Sequence, residues 1–132
     1  MQTRQQQIWM AITGAAGASA VAMGAWAAHG LATYVSAEAV ATVHLAVQYQ
    51  LWHALALGMV VLLVARDVGN RLLRVAGWAF SLGIILFCGS LYGLALGGVK
   101  AFAWLTPCGG VALIAGWCCL LIYGVTAMQG RD

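Results

Sequence analysis

Few residues in this chain can do chemistry: three histidines, four cysteines and three acidic residues among 132. Tyr49 and His53 are four apart, so on a helix they share a face and offer a phenol beside an imidazole. Such a pair can hydrogen-bond a carbonyl-bearing ring, and imidazole is also a metal ligand. His44 shares a different face with Gln48, and its nine-residue spacing from His53 puts the two histidines on opposite sides of one helix. A single site using both is therefore not expected. The better pair is Tyr49 and His53, with His29 arriving from the outer end of another helix. Glu38 is the carboxylate nearest this group, and its position suits helix capping, so no residue is expected to be catalytic. Cys88, Cys108, Cys118 and Cys119 form no Cys-x-x-Cys pair. We read them as small buried apolar residues, with a disulfide or metal role less favoured, and expect no metal ligands.

These residues sit within four apolar stretches that almost fill the chain. Hydrophobic residues make up 64% of it, charged residues 7%, and mean hydropathy is +0.92. That leaves too little polar surface for a water-soluble domain, whereas a bilayer core about 30 Å thick needs about 20 apolar residues per helix. The fold class expected is all-α: an integral membrane four-helix bundle in one domain, 1–132, with helices over about 8–28, 37–65, 72–96 and 107–128. The bilayer is the expected surrounding. The formal charge of +3 is scattered through loops and forms no basic stripe, which argues against nucleic acid. Arg4, Arg66, Arg71, Arg74 and Arg131 fall on one side, and Lys100 on the other. Basic residues stay cytoplasmic during insertion, so both termini are expected inside. Trp9, Trp78 and Tyr123 then sit near the inner surface, and Trp26, Tyr34, Phe102 and Trp104 near the outer, as aromatic belts. The first stretch resembles a signal peptide, with Ala25-Trp26-Ala27 like a cleavage site, but we expect a retained helix.

Helix one is rich in small residues, including Gly14, Gly17, Ala18 and Gly24. Gly89, Gly93 and Gly97 recur every four residues in helix three, and Gly109, Gly110 and Gly116 lie in helix four. Small residues let helices approach closely in lipid, and packing within the bundle is favoured over an oligomer seam. Gly30 suits a left-handed helix end, Ser36 a cap for helix two, and Thr106 a cap before Pro107. Helical rise places His53, Cys88 and Cys118 about 20 Å above the inner arginines, and Tyr49, Ser90 and Tyr92 about 25 Å above them. The polar residues thus collect in the outer half. A structural hydrogen-bond network is the first reading of this layer. A pocket for a quinone or lipid headgroup is the second, and a haem or copper site the third.

Four segments carry a resemblance: Gly24-Ala25-Trp26-Ala27-Ala28-His29-Gly30-Leu31, Tyr49-Gln50-Leu51-Trp52-His53-Ala54-Leu55, Phe87-Cys88-Gly89-Ser90-Leu91-Tyr92, and Leu105-Thr106-Pro107-Cys108-Gly109-Gly110 followed by Gly116-Trp117. In order and content they resemble the membrane family known as domain of unknown function 423, which includes transmembrane protein 256. Cys88 stands where that family commonly has serine, and Cys108 where it often has an aliphatic residue. The resemblance implies a small four-helix protein of bacterial inner membranes or mitochondria and brings no activity or cofactor with it. Its motif residues here are His29, Tyr49, Gln50, His53, Ser90, Tyr92, Thr106 and Pro107. The function expected is a non-enzymatic accessory or binding subunit of the bacterial inner membrane, with a membrane-complex partner or a homo-oligomer. The alternatives are a binder of a lipid-soluble ligand or redox cofactor, and an oligomeric transporter or channel.

Overall fold

The computed structural model describes residues 3–129, so Arg131, assigned above to the basic side, lies outside the described residues. Four helical segments dominate: α1 (Arg4–His29), α2 (Ala37–Arg66), α3 (Arg71–Gly97) and α4 (Leu105–Gln129). No strand occurs among the described residues. All four segments are long and apolar enough to cross a membrane.

Local chemistry sets the helix ends. Thr3 and Gln6 form a reciprocal capping box, with Thr3 Oγ1 accepting from Gln6 N at 3.3 Å and Gln6 Oε1 from Thr3 N at 2.7 Å. This starts α1 four residues before the apolar run. Ser36 caps α2 as expected, accepting from Ala39 N at 3.2 Å. Asn70 caps α3 through Leu72 N and Leu73 N. Two expected ends differ. Gly30 has φ −147° rather than a left-handed value, and the chain continues into a 3-10 turn over Leu31–Thr33. Thr106 lies inside α4, which is entered through a 3-10 turn over Lys100–Trp104, and its hydroxyl turns toward α3 instead of capping.

Helices pack in chain order, α1 on α2, α2 on α3, and α3 on α4. The flanking helices remain open to the surroundings. Only 17% of the apolar window of α1 and 11% of that around α4 is buried, against 44% for α2 and 39% for α3. The main core gathers Trp9, Leu57, Val60, Leu73 and Phe80, and a smaller one holds Ala27, Leu31 and Val43 toward the other end. Trp9 is thus no belt residue. It is fully buried against Gly77, with the Trp78 ring edge-on at 5.8 Å. Of the other aromatics expected in the belts, Trp26, Tyr34, Trp78 and Trp104 are exposed, and Phe102 and Tyr123 are half-buried. The cysteines also divide: Cys88 is buried, Cys119 half-buried, and Cys108 and Cys118 exposed, so burial does not explain them all.

A π-helical stretch, Ile84–Cys88, interrupts α3. Nothing in the residue pattern anticipated it. Its wide turn brings the Phe87 backbone against Gly109, where an added Cβ would collide with Phe87 N and Cα. Gly83 against Leu113, Gly93 against Phe102 and Gly116 against Phe80 are similarly close. These glycines serve packing within the monomer, as expected. Gly14, Gly17 and Gly89 do not, since a Cβ added at any of them would meet no packing neighbour within 4 Å.

Gly109→Ala should therefore lower stability by about 2 kcal/mol, because backbone cannot yield as a side chain does. Gly14→Ala should be neutral or slightly stabilising, since it adds helix propensity in open space. Reversible unfolding of both variants in detergent micelles checks the contrast.

Candidate functional site

Gln50 is buried at 5% exposure on α2, facing both α1 and α3. Its Nε2 donates to Ala16 O at 2.8 Å and to Ser19 Oγ at 2.7 Å. Its Oε1 accepts from Tyr92 OH at 2.6 Å. Ser19 in turn donates to Ala15 O at 2.7 Å. One amide thus uses both of its N–H bonds and an oxygen lone pair to join three helices.

One turn along α2, His53 joins a fourth. Its Nε2 accepts from Trp117 Nε1 at 3.1 Å, and Nδ1 lies 2.6 Å from Tyr49 O. An indole N–H can only donate, so Nε2 is the acceptor and the ring proton sits on Nδ1, donated to the Tyr49 carbonyl. Around it, Tyr49 stacks on His53 at 5.9 Å and lies 4.8 Å from Phe87, while Phe80 meets Trp117 edge-on at 5.3 Å. Such ring pairs add to packing beyond area alone.

Ser90 and Thr106 make the third link. Their hydroxyls are 2.6 Å apart across α3 and α4, and Ser90 Oγ is 2.9 Å from Phe87 O. The arrangement using the shorter contacts has Thr106 donating to Ser90, and Ser90 to the Phe87 carbonyl at the π stretch. That bond occupies a carbonyl beside the wide turn.

Six of the seven residues singled out by sequence fall into three bonded sets: Gln50 with Tyr92, His53 with Tyr49, and Ser90 with Thr106. His29 does not join them; it is exposed in the last turn of α1. His44 is exposed too. Ser19 and Trp117 were missed as members. Trp117 had a signal, since Cys118 beside it stands at the height of His53 and Gly116-Trp117 belongs to a motif. Ser19 had only its polarity within an apolar helix.

Two clefts flank these sets. One, of about 400 Å³, lies between α1 and α3, with Gln50, Tyr92 and Ser19 among apolar walls that include Cys88 and Gly89. The other, also about 400 Å³, lies between α2 and α4 and is lined by Tyr49, His53, Phe87, Leu113 and Trp117. Among the described residues, no three of histidine, cysteine, aspartate and glutamate cluster to hold a metal. Both His53 nitrogens are engaged, so haem or copper ligation there would first break a bond to Trp117 or Tyr49.

His53→Leu should leave the Trp117 indole N–H unpaired and cost about 1 kcal/mol of stability. In protein labelled with ¹⁵N in micelles, the Trp117 indole proton should move upfield and exchange faster. An unchanged indole signal would show that the bond is absent.

The profile of the family described as "Protein of unknown function (DUF423)" matches residues 23–110, a span that includes Gln50, His53, Ser90, Tyr92 and Thr106. Curated relatives agree. A "UPF0382 membrane protein" of Haemophilus influenzae is 36% identical over 83% of this chain and 86% of its own. "UPF0382 membrane protein YwdK" of Bacillus subtilis is 38% identical over 80% and 86%. "UPF0382 inner membrane protein YgdD" of Escherichia coli is 35% identical over 77% of each. No solved structure matches this chain. With the matched span covering the bonded helices and these relatives aligned along most of their length, the chain belongs to the DUF423 family of membrane proteins.

Proposed function

We propose that this protein is a non-enzymatic accessory subunit of the bacterial inner membrane, binding a larger membrane protein through α1. The observation that carries this reading is the open face of that helix. Ala11, Gly14, Ala15, Ala18, Ala22 and Ala25 recur at helical spacing and are all exposed. Gly14 and Gly17 meet nothing inside the monomer, whereas Gly77, Gly83, Gly93, Gly109 and Gly116 are each used against a neighbouring segment. A smooth helical face of small side chains lets a second helix approach closely, and dispersion then drives association in lipid. The hydrogen-bonded sets supply the complementary property. Apart from the Tyr49 hydroxyl, their side-chain donors are spent inside the protein, so they hold the helices in place for an outside partner to meet.

The orientation belongs to the same proposal. Arg4, Arg66, Arg71 and Arg74 fall at one end of the bundle and Lys100 at the other, which favours both termini on the cytoplasmic side. The Escherichia coli relative named as an inner membrane protein supports that membrane.

A second reading rests on the aromatic cleft of Tyr49, His53, Phe87 and Trp117. Its walls suit a flat ring entering from the lipid, such as a quinone head. In that case, lipid-soluble ligand extracted with the purified protein would be depleted by Tyr49→Ala while the helices stay folded.

A photo-activated crosslinker at Ala18 distinguishes the first reading. In the native membrane it should trap one defined protein band, and the same group at Leu121 on α4 should trap only lipid. Gly14→Leu should abolish the band. Lipid adducts alone at both positions would contradict the proposal.

A further inference from the structure

Arg71 and Arg74 stand in the first turn of α3, the end of a helix that repels cations. No acidic residue shares that turn. Asp67, just before it, is bonded to Asn70 Nδ2 at 2.9 Å. Topology signals account for arginines at this end of the bundle, but not for their gathering on one face. That face continues as a stripe. Arg71, Arg74, Val75, Trp78, Ala79 and Leu82 line a cleft of about 510 Å³, closed on its other side by Gln5 of α1. Among the described residues the lining contains no carboxylate. Val75 is 53% exposed, Trp78 42% and Leu82 52%, so its apolar part is open to an occupant.

From Arg71 to Leu82 the helix rises about 16 Å. That is close to half of a hydrocarbon core about 30 Å thick, the depth one acyl chain covers. Charge lies at the mouth, an interfacial tryptophan below it, and apolar side chains beyond. We propose that this cleft is a binding site for one anionic phospholipid. Its phosphate sits between the Arg71 and Arg74 guanidinium groups near the Gln5 amide, and one acyl chain runs down Val75, Ala79 and Leu82. Guanidinium forks match phosphate oxygens geometrically as well as in charge. The anion also supplies the negative charge that the first turn of α3 lacks. This site is at the opposite end of the bundle from the polar sets and does not depend on the accessory role of α1.

The test uses the full-length protein, delipidated in a neutral detergent and followed by native mass spectrometry. Phosphatidylglycerol and phosphatidylcholine are titrated separately. The first phosphatidylglycerol should bind at least about tenfold more tightly than phosphatidylcholine, two nearby arginines being ample for that margin. Arg71→Gln together with Arg74→Gln should remove the difference. Arg66→Gln, which removes a nearby charge outside the cleft, should keep it. Leu82→Trp, which fills the cleft without altering charge, should weaken phosphatidylglycerol binding. Circular dichroism of each variant establishes that its helices remain. Equal binding of the two lipids, or a preference that survives in the folded double variant, would overturn the site.

Discussion

Hydrogen bonding at Gln50 is the constraint on which the rest of this fold depends. A primary amide inside a membrane has no water to fall back on, so its donors and acceptor must find protein partners. Here they find Ala16 and Ser19 on α1 and Tyr92 on α3. That fixes the rotation of α2 about its axis, because any other face would leave the amide in lipid. Once α2 is set, His53 one turn away can point only toward Phe80 and Trp117. The same amide thereby aligns α4, which it never touches.

Packing against glycine completes the other side. α1 and α4 gain little from burial, since most of their apolar windows face outward. Lipid tails are as apolar as leucine, so no hydrophobic effect draws helices together. Close contact and a few polar bonds have to do so instead. The π stretch of α3 contributes by pushing Phe87 into the space that Gly109 leaves open, and Ser90 and Thr106 bond beside it. An ordinary helical turn at Phe87 would alter that approach and the register of Ser90 and Tyr92 together.

Much of this was readable in the residues, for identifiable reasons. Apolar length alone determines four spans, and the i, i+4 spacing of Tyr49 and His53 is a property of any helix. Polarity in an apolar stretch singled out Ser90, Tyr92 and Thr106, since such groups are expensive unless paired, and the family motif singled out Gln50. Other features depend on neighbours that spacing does not reveal. His29 looked like a companion to His53 because it closes helix one at the outer end, yet it is exposed there. Trp9 looked interfacial by its position near Arg4, but Gly77 on another helix makes room to bury it. The π stretch sets Phe87 against Gly109, a relation between two helices that neither sequence segment encodes alone. Ser19 becomes important only because Gln50 happens to lie opposite.

The central claim is that Gln50 couples α1 and α3 through α2. A double-mutant cycle with Gln50→Leu and Tyr92→Phe, measured by reversible unfolding in bicelles, tests it most directly. The account predicts a coupling free energy of about 1 kcal/mol, at the stronger end for interhelical bonds in a membrane. Strictly additive effects of the two substitutions would mean that the Tyr92–Gln50 bond does not hold these helices together.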